Sequence, residues 1–379
     1  MIENKNLARF KNYIKTLLYK RRFRYRLNHH YKSLHFNPKK THSNPIEDDS
    51  KLIIRLINLY KTCNENFDGN KDSMWSEIFM KLQGDIHEAF ISENKDKIKD
   101  ILRNPSNYNV FYGFENSCKD LLIINRLEDK LEPEMTMDGL ITLCEAVGVI
   151  NVSNPESLRI RSSINADKAL ELLEKEFGFS LNFPNPFKDE YGIETKKGIL
   201  SYRAVQGIYQ AWRIFKILEK TPNPAVIEIG GGLGRTAYFA RQFGIKNYTI
   251  VDIPMSSLAQ GNFLGRVLPE ESISMMEKED TNLDSKIKLI HPKLYYSSGV
   301  HYDLTVNVDS LTELEINIAE NYLKKIIENS SYFLSINHEH NSFSVNSISD
   351  KHPNLQKLLR FPYWLRKGYV EELFNINHV

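Results

Sequence analysis

In the second half of the chain, short runs rich in valine and isoleucine alternate with longer amphipathic segments. Ala225-Val-Ile-Glu-Ile229 and Tyr248-Thr-Ile-Val251 have the composition of parallel strands that are buried on both faces. Further strands are predicted at 287–290, 303–308 and 331–337, and helices at 200–219, 235–243, 255–267 and 316–328. This alternation predicts an α/β fold with a doubly wound, Rossmann-like sheet over residues 196–379. The pattern leaves the last 40 residues, 340–379, unassigned.

The preceding part of the chain has apolar side chains at the spacing of one helical face. Leu52, Leu56 and Leu59 repeat in this way. Similar patterns predict helices at 75–86, 95–103, 117–128 and 138–147, with prolines at 105, 133 and 155 between segments. We therefore predict a mainly helical domain over 46–195, which follows an N-terminal arm over 1–45.

The bulk composition is that of an ordinary globular protein. The 379 residues are 41% hydrophobic and 26% charged, and the net charge is +2. Cys63, Cys118 and Cys144 form no CxxC pair, which suits a reducing compartment. The N-terminus lacks the apolar core of a signal peptide, and no run of 18 apolar residues exists. These features predict a cytoplasmic protein.

The N-terminal arm is strongly basic. Residues 1–40 contain 12 lysine and arginine side chains against a single acid, Glu3. Such an arm can bind anionic lipid, nucleic acid or an acidic glycan, and a solvated amphipathic helix is an equally good interpretation. We expect a contact with an anionic surface, such as the inner face of a membrane, and no nucleic-acid partner.

The strand that ends at Ile229 leads into a glycine-rich loop, and the next strand ends at Asp252. Glycines let the chain turn sharply out of a strand and let a ligand approach the backbone. A carboxylate at the end of the adjacent strand can accept both hydroxyl hydrogens of a ribose. The predicted cofactor contacts are Glu228, Gly230, Gly231, Gly232, Gly234, Asp252 and Ile253. The structural alternative is a strand–turn–helix junction without a ligand.

Two cofactors fit this pattern. Gly232-Leu-Gly-Arg-Thr-Ala237 matches the G-x-G-x-x-A form of a dinucleotide loop, and Asp252 follows Gly232 by 20 residues. However, two further glycines precede that match, whereas a pyrophosphate loop leaves its strand directly. The carboxylate of Glu228 also repels a pyrophosphate but attracts the sulfonium and ammonium groups of S-adenosylmethionine (SAM). The loop therefore favours SAM over NAD(P).

Candidate catalytic residues follow the later strands, because ligands of doubly wound sheets bind at the carboxyl ends of the strands. Asp309 follows the strand at 303–308, and His338-Glu339-His340 follow the strand at 331–337. A histidine with a near-neutral pKa suits a general base, although a lone histidine is more often structural. Ser310-x-x-Glu313 fits a helix-capping box, so these two side chains are expected to cap the next helix.

Two other segments carry side chains of interest. Arg203, beside Tyr202, can pair with the carboxylate of a bound cofactor, although solvation at the surface is the more common role of an arginine. The aromatic and basic stretch from Phe361 to Tyr369 can stack on a sugar ring, and core packing of Tyr363 and Trp364 is at least as good an interpretation.

Several stretches together resemble a family of sugar O-methyltransferases with class I SAM-binding architecture. They are Val226–Tyr238, Tyr248–Pro254, Val306–Glu313, Ser335–Glu339 and Phe361–Glu372. The resemblance covers about 200–371 and extends loosely to the helical region around Trp75, but not to the basic arm.

The resemblance implies methyl transfer from SAM to a sugar hydroxyl, typically on a bacterial surface glycan. Asp309 with His338 and its neighbours can also hold a divalent metal, as in some sugar methyltransferases. The alternatives are an NAD(P)-dependent sugar oxidoreductase or epimerase, and a non-catalytic module that keeps the fold.

Overall fold

The computed structural model describes residues 27–28, 36–41, 49–67, 74–114, 131–152, 164–276 and 285–378. The described residues fall into two compact units. The first unit draws on Met1–Thr41, Leu121–Asn185 and Glu190–Val205, and the second on His42–Asp120, Pro186–Asp189 and Gln206–Val379. The domain boundaries at 45 and 195 stay predictions, and most of the basic arm lies outside the described residues.

The secondary structure follows the predicted alternation. The helices span Ser50–Glu65, Met74–Leu82, Gly84–Ile91, Lys95–Arg103, Glu132–Val147, Ala166–Phe177, Tyr202–Leu218, Arg235–Gln242, Pro254–Val267, Pro292–Ser297, Ile316–Asn329 and Val345–Ser349. The strands are β1 Pro38–Lys40, β2 Tyr191–Thr195, β3 Gly198–Leu200, β4 Ala225–Ile229, β5 Asn247–Val251, β6 Ile273–Ser274, β7 Ile287–Ile290, β8 Tyr302–Val308, β9 Ser330–His338, β10 Leu355–Pro362 and β11 Tyr369–Ile376. The helix predicted at 117–128 lies outside the described residues.

The described part of the first unit combines the helices Glu132–Val147 and Ala166–Phe177 with a small sheet. Its strands β1, β2 and β3 pair antiparallel in that order. The helix Ala166–Phe177 begins where the Asn165 side chain accepts a hydrogen bond from the Lys168 amide, and it ends at Gly178 in the left-handed conformation. The sequence pattern did not predict this sheet, because strands of three to five residues are too short to show an alternation.

The second unit is built around an eight-stranded sheet in the order β10-β11-β9-β8-β4-β5-β7-β6. The neighbouring pairs from β9 to β6 are parallel, whereas β11 runs antiparallel to both of its neighbours. The predicted doubly wound α/β sheet is therefore confirmed. Strand β4 has β5 on one side and β8 on the other, so the direction of winding reverses at β4. Ligands of such sheets bind at this switch point.

Helices from the N-terminal half pack against the sheet helices of the same unit. A Cβ on Gly261 would lie 2.7 Å from Leu56 Cδ2, and one on Gly265 would lie 2.5 Å from Leu52 Cδ1. The two glycines therefore let the helices Ser50–Glu65 and Pro254–Val267 approach closely. Over the described ranges, we find no helix that is both long enough and apolar enough to span a bilayer.

Candidate active site

The glycine-rich loop connects β4 to the helix that begins at Arg235. Gly230 has φ +74°, and its amide donates to the Val251 carbonyl across 3.0 Å. A Cβ on Gly230 would lie 2.5 Å from Ser310 Cβ, so only glycine fits there. Gly232 has φ +55°, and among the described residues a Cβ there would meet only Phe114, at 3.9 Å. The backbone is therefore open to a ligand at Gly232 and closed by packing at Gly230.

Asp252 lies at the carboxyl end of β5, beside this loop. Its Oδ2 accepts hydrogen bonds from the Gly231 amide at 3.0 Å and from Gln260 Nε2 at 2.7 Å, and its Oδ1 accepts from the Ile253 amide at 2.9 Å. Burial raises the pKa of Asp252 to about 6, although these hydrogen bonds oppose the shift. Gln260 also donates to the Gly232 carbonyl at 3.1 Å. Asp252 and the loop thus form one connected unit, and the ribose contact stays a prediction.

Glu228 is buried within β4, with only 2% of its surface exposed. The Tyr248 hydroxyl donates to Glu228 Oε2 across 3.0 Å. Burial raises the pKa of Glu228 to about 8, and the negative charge of Asp252 adds to the rise. A cation bound nearby would favour the ionised form of this carboxyl group and lower its pKa. Its predicted contact with the methionine end of SAM is not tested by the structure.

The segment after β8 lies directly beside the glycine loop. The Ser310 side chain donates to the Ile229 carbonyl at 3.0 Å and accepts from Asn307 Nδ2 at 2.6 Å. It caps no helix, and Glu313 lies at the end of a short 3-10 turn, Leu311–Glu313. The predicted capping box is therefore wrong. The hydroxyl instead donates to the Ile229 carbonyl at the end of β4, next to the loop.

Asp309 has φ +55°, a left-handed conformation that is unusual for a residue other than glycine. The Tyr369 hydroxyl donates to Asp309 Oδ1 at 2.7 Å, and Arg366 donates to Oδ2. His338 Nε2 lies 3.9 Å from Asp309 Oδ1. The His338 ring also packs edge-to-face against Tyr369, with centroids 5.4 Å apart. The structure therefore brings together Asp309 and His338, two of the predicted catalytic residues.

Glu313 lies close to both Asp309 and His338. One ligand atom from each of Asp309, Glu313 and His338 lies within 4.8 Å of the others, and all three residues are half-buried. Glu313 Oε2 also accepts a hydrogen bond from the indole nitrogen of Trp75 at 3.1 Å. We call Asp309, Glu313 and His338 the acidic–histidine cluster. Two carboxylates and one imidazole can accept a proton from a hydroxyl group, or bind a divalent cation.

The other predicted residues lie outside this cluster. Glu339 is exposed and forms an ion pair with Arg360 at 2.8 Å, and His340 is exposed beyond the end of β9. Arg203 belongs to the first unit, in the first turn of the helix Tyr202–Leu218. Its contact with a cofactor stays a prediction.

The sequence did not single out four residues that the structure places at the cluster. Glu313 was interpreted as a cap, and Trp75 as a core position of a helix. Arg366 and Tyr369 lie within the stretch 361–369, which was considered for sugar stacking; the structure shows that both contact Asp309 instead. Tyr363 and Trp364 pack against Tyr209, as the core interpretation predicted.

The comparisons with solved structures match less than half of the chain. No protein-family model and no curated protein matches the sequence. Among solved structures, the chain is similar to the N-methyltransferase NodS from Bradyrhizobium japonicum WM9 in complex with S-adenosyl-L-homocysteine, with 12% identity, 47% of this chain and 88% of that chain covered, and a TM-score of 0.35. It is also similar to the glycopeptide N-methyltransferase MtfA complexed with sinefungin, with 11% identity, 45% and 87% covered, and a TM-score of 0.36. Similarity at these TM-scores does not establish a shared function.

Proposed function

We propose that the protein is a SAM-dependent methyltransferase that acts on a sugar hydroxyl. The observation that carries this proposal is the position of the glycine loop and Asp252 at the switch point of the sheet, directly beside the acidic–histidine cluster. A donor site and a proton-accepting site that share one crevice are what a methyl transfer requires. The sugar acceptor is suggested by the family resemblance.

The sheet supports SAM as the cofactor. Its strand order, with the antiparallel strand β11 next to the edge, is the order expected of the class I architecture that the resemblance implies. Asp252 places a carboxylate beside the loop, and a bound cation favours the ionised form of Glu228, which a pyrophosphate would oppose. The residues present therefore fit SAM, with Gly231, Gly232 and Asp252 as its expected contacts.

Methyl transfer is an in-line displacement, and bound SAM supplies a methyl group activated by the sulfonium. The protein must align the acceptor oxygen, exclude water and remove the hydroxyl proton. His338 takes this proton, and the Asp309 carboxylate stabilises the imidazolium that forms. Arg366 and Tyr369 hold Asp309 in the orientation that this task needs. The oxygen–carbon bond forms as the carbon–sulfur bond breaks, which leaves S-adenosylhomocysteine.

The acidic–histidine cluster can alternatively bind a divalent cation. Asp309, Glu313 and His338 offer two oxygen ligands and one nitrogen ligand, a set that suits Mn²⁺ or Fe²⁺ better than Ca²⁺. The guanidinium of Arg366 already neutralises part of the charge of Asp309, which weakens a cation site. Loss of activity in EDTA that Mn²⁺ restores would favour the metal; unchanged activity in EDTA would favour His338 as the base.

The proposed function is tested in two steps. Calorimetric titration with SAM and with NAD(P) identifies the cofactor, and tight binding of NAD(P) without binding of SAM would refute a methyltransferase. Labelled SAM is then incubated with nucleotide sugars and glycan fragments, and the products are analysed by mass spectrometry. Transfer to no sugar, with SAM binding intact, would favour a different acceptor or a non-catalytic module.

The basic arm suggests where the enzyme works. The excess of positive charge within residues 1–40 suits attraction to an anionic membrane surface, where glycan precursors carried on lipids are assembled. We expect the full chain to co-sediment with vesicles that contain phosphatidylglycerol, but not with neutral phosphatidylcholine vesicles. Equal sedimentation with both, or with neither, would contradict this part of the proposal.

A further inference from the structure

Two aromatic side chains from the helical part of the second unit stand beside the candidate active site. Trp75 lies on the helix Met74–Leu82, and Phe114 lies in a turn that follows the helix Lys95–Arg103. Their rings are stacked, with centroids 5.8 Å apart and planes 21° from parallel. Both side chains are half-buried. We call them the aromatic pair.

The aromatic pair is held in place by polar and steric contacts. Gln83 Nε2 donates to the Asn109 carbonyl at 2.9 Å, and Asn109 Nδ2 donates to the Leu82 carbonyl at 3.2 Å, which ties the turn to the helices. Gly113 has φ +86°, and a Cβ there would lie 3.0 Å from Trp75 Cη2. The turn therefore packs directly on the indole ring.

Each member of the pair faces a different part of the site. A Cβ on Gly232 would lie 3.9 Å from Phe114 Cδ1, so Phe114 borders the open side of the cofactor loop. The Trp75 indole nitrogen donates to Glu313, which belongs to the acidic–histidine cluster. The segment that carries Glu313 also contacts the cofactor loop, because Ser310 packs against Gly230. The aromatic pair thus connects the donor side of the site to the acceptor side.

We propose that the aromatic pair is a wall of the reaction site, in which Phe114 contacts the bound cofactor and Trp75 stacks on the ring of the acceptor. An indole beside carboxylates suits a hydroxylated ring, because the aromatic face covers the C–H face of the ring while the carboxylates accept its hydroxyl hydrogens. The hydrogen bond from Trp75 to Glu313 fixes the plane of the indole. This inference rests on the proposed function and names the residue that recognises the acceptor.

The charge of the cluster also restricts which acceptor rings can bind. Among the described side chains of the cluster and its contacts, Asp309 and Glu313 are acidic and Arg366 is basic. The two carboxyl groups beside Trp75 therefore disfavour an acceptor ring that itself carries a carboxylate or a phosphate. We infer that Trp75 binds a neutral ring, such as a hexose or 6-deoxyhexose unit.

The test uses methyl glycosides of neutral hexoses, 6-deoxyhexoses and hexuronic acids as probes, with the full chain saturated by S-adenosylhomocysteine. Saturation-transfer NMR shows which glycoside protons touch the protein. We expect ring C–H protons of one face of a neutral glycoside to be saturated, and the effect to weaken about tenfold in Trp75→Ala. Trp364→Phe is the matched control, because Trp364 packs against Tyr209 and its replacement also removes an indole. This control should bind the glycosides as the unchanged chain does.

Measurements of cofactor binding distinguish the role of Phe114 from that of Trp75. Phe114→Ala should raise the Kd for S-adenosylhomocysteine about tenfold, whereas Trp75→Ala should change it by less than about threefold. The retained cofactor binding of Trp75→Ala also shows that this variant folds. Equal glycoside binding by Trp75→Ala and the unchanged chain, or a preference for the uronic acid, would overturn the inference. The same holds if no glycoside binds a chain that binds the cofactor; failure to bind the cofactor would instead refute the proposed function.

Discussion

Ser310 fills the space beside Gly230 that a side chain on Gly230 would need, with Ser310 Cβ 2.5 Å from the position of a Cβ there. The hydroxyl of Ser310 at the same time donates to the Ile229 carbonyl at the end of β4. This packing joins the loop expected to hold the cofactor to the segment that carries Asp309 and Glu313. A disturbance at Gly230 is therefore transmitted to both halves of the site.

The first prediction concerns this packing. Gly230→Ala should destabilise the protein by about 2–4 kcal/mol, because it adds both a strained positive φ and a steric overlap. It should also weaken SAM binding. Gly244→Ala is the matched control, since Gly244 has φ +89° but no atom of the described residues within 4 Å of its Cβ position, and it should cost only about 1 kcal/mol. Urea denaturation measures both; equal losses in the two variants would contradict the role of Ser310.

The second prediction concerns Asp252. Asp252→Ala should weaken SAM binding by at least about tenfold, because the ribose hydroxyls lose their acceptor. The thermal stability should also fall, because Gly231, Gln260 and Ile253 lose the carboxyl group that accepts their hydrogen bonds. Calorimetric titration measures the affinity. Unchanged affinity in a variant that is fully folded would mean that the cofactor binds elsewhere.

The third prediction separates cofactor binding from chemistry. Asp309→Asn and His338→Gln should each lower kcat by about 10²–10⁴, because proton removal is impaired, while the Kd for SAM stays the same. His340→Gln should transfer methyl at nearly the native rate, because His340 is exposed and lies outside the cluster. Rates measured with labelled SAM test this prediction. A large loss of rate in His340→Gln, with none in His338→Gln, would show that His338 is not the general base.

The fourth prediction concerns the pH dependence of stability. Glu228 has a pKa of about 8 in the folded state, against 4.5 without burial. Between these values the folded state holds a proton that the unfolded chain has lost, so the free energy of unfolding should fall as the pH rises, by up to about 1.4 kcal/mol per pH unit. Glu228→Gln should remove this contribution and flatten the pH profile. Urea denaturation across that window measures it.

A surface control belongs to the fourth experiment. Glu219 is exposed and forms an ion pair with Lys216 at the end of a helix, so Glu219→Gln should leave the pH profile as it is. A Glu228→Gln variant with the same decline as the unchanged chain would show that other groups cause it.

The amino-acid sequence by itself determined five strands of the large sheet, the loop and Asp252. These features are local: a buried parallel strand shows its valines and isoleucines within five residues, and the glycines follow directly in the chain. The spacing from the loop to Asp252 spans one helix and one strand, so the fold class alone places the carboxylate beside the loop. For the same reason, the predicted strands 287–290 and 303–308 agree with the observed ones to within one residue.

The tertiary structure alone decided which side chains surround Asp309. Trp75 reaches Glu313 across a sequence separation of 238 residues, and Tyr369 reaches Asp309 across 60. Strand β11 brings Tyr369 to this position because it inserts antiparallel between β9 and β10, an order that no hydrophobic pattern encodes. His338 ends β9 opposite Tyr369, whereas Glu339 lies beyond the end of the strand and forms an ion pair with Arg360. The sequence thus specified the glycine loop and Asp252, and strand order and packing across the sheet assembled the acidic–histidine cluster.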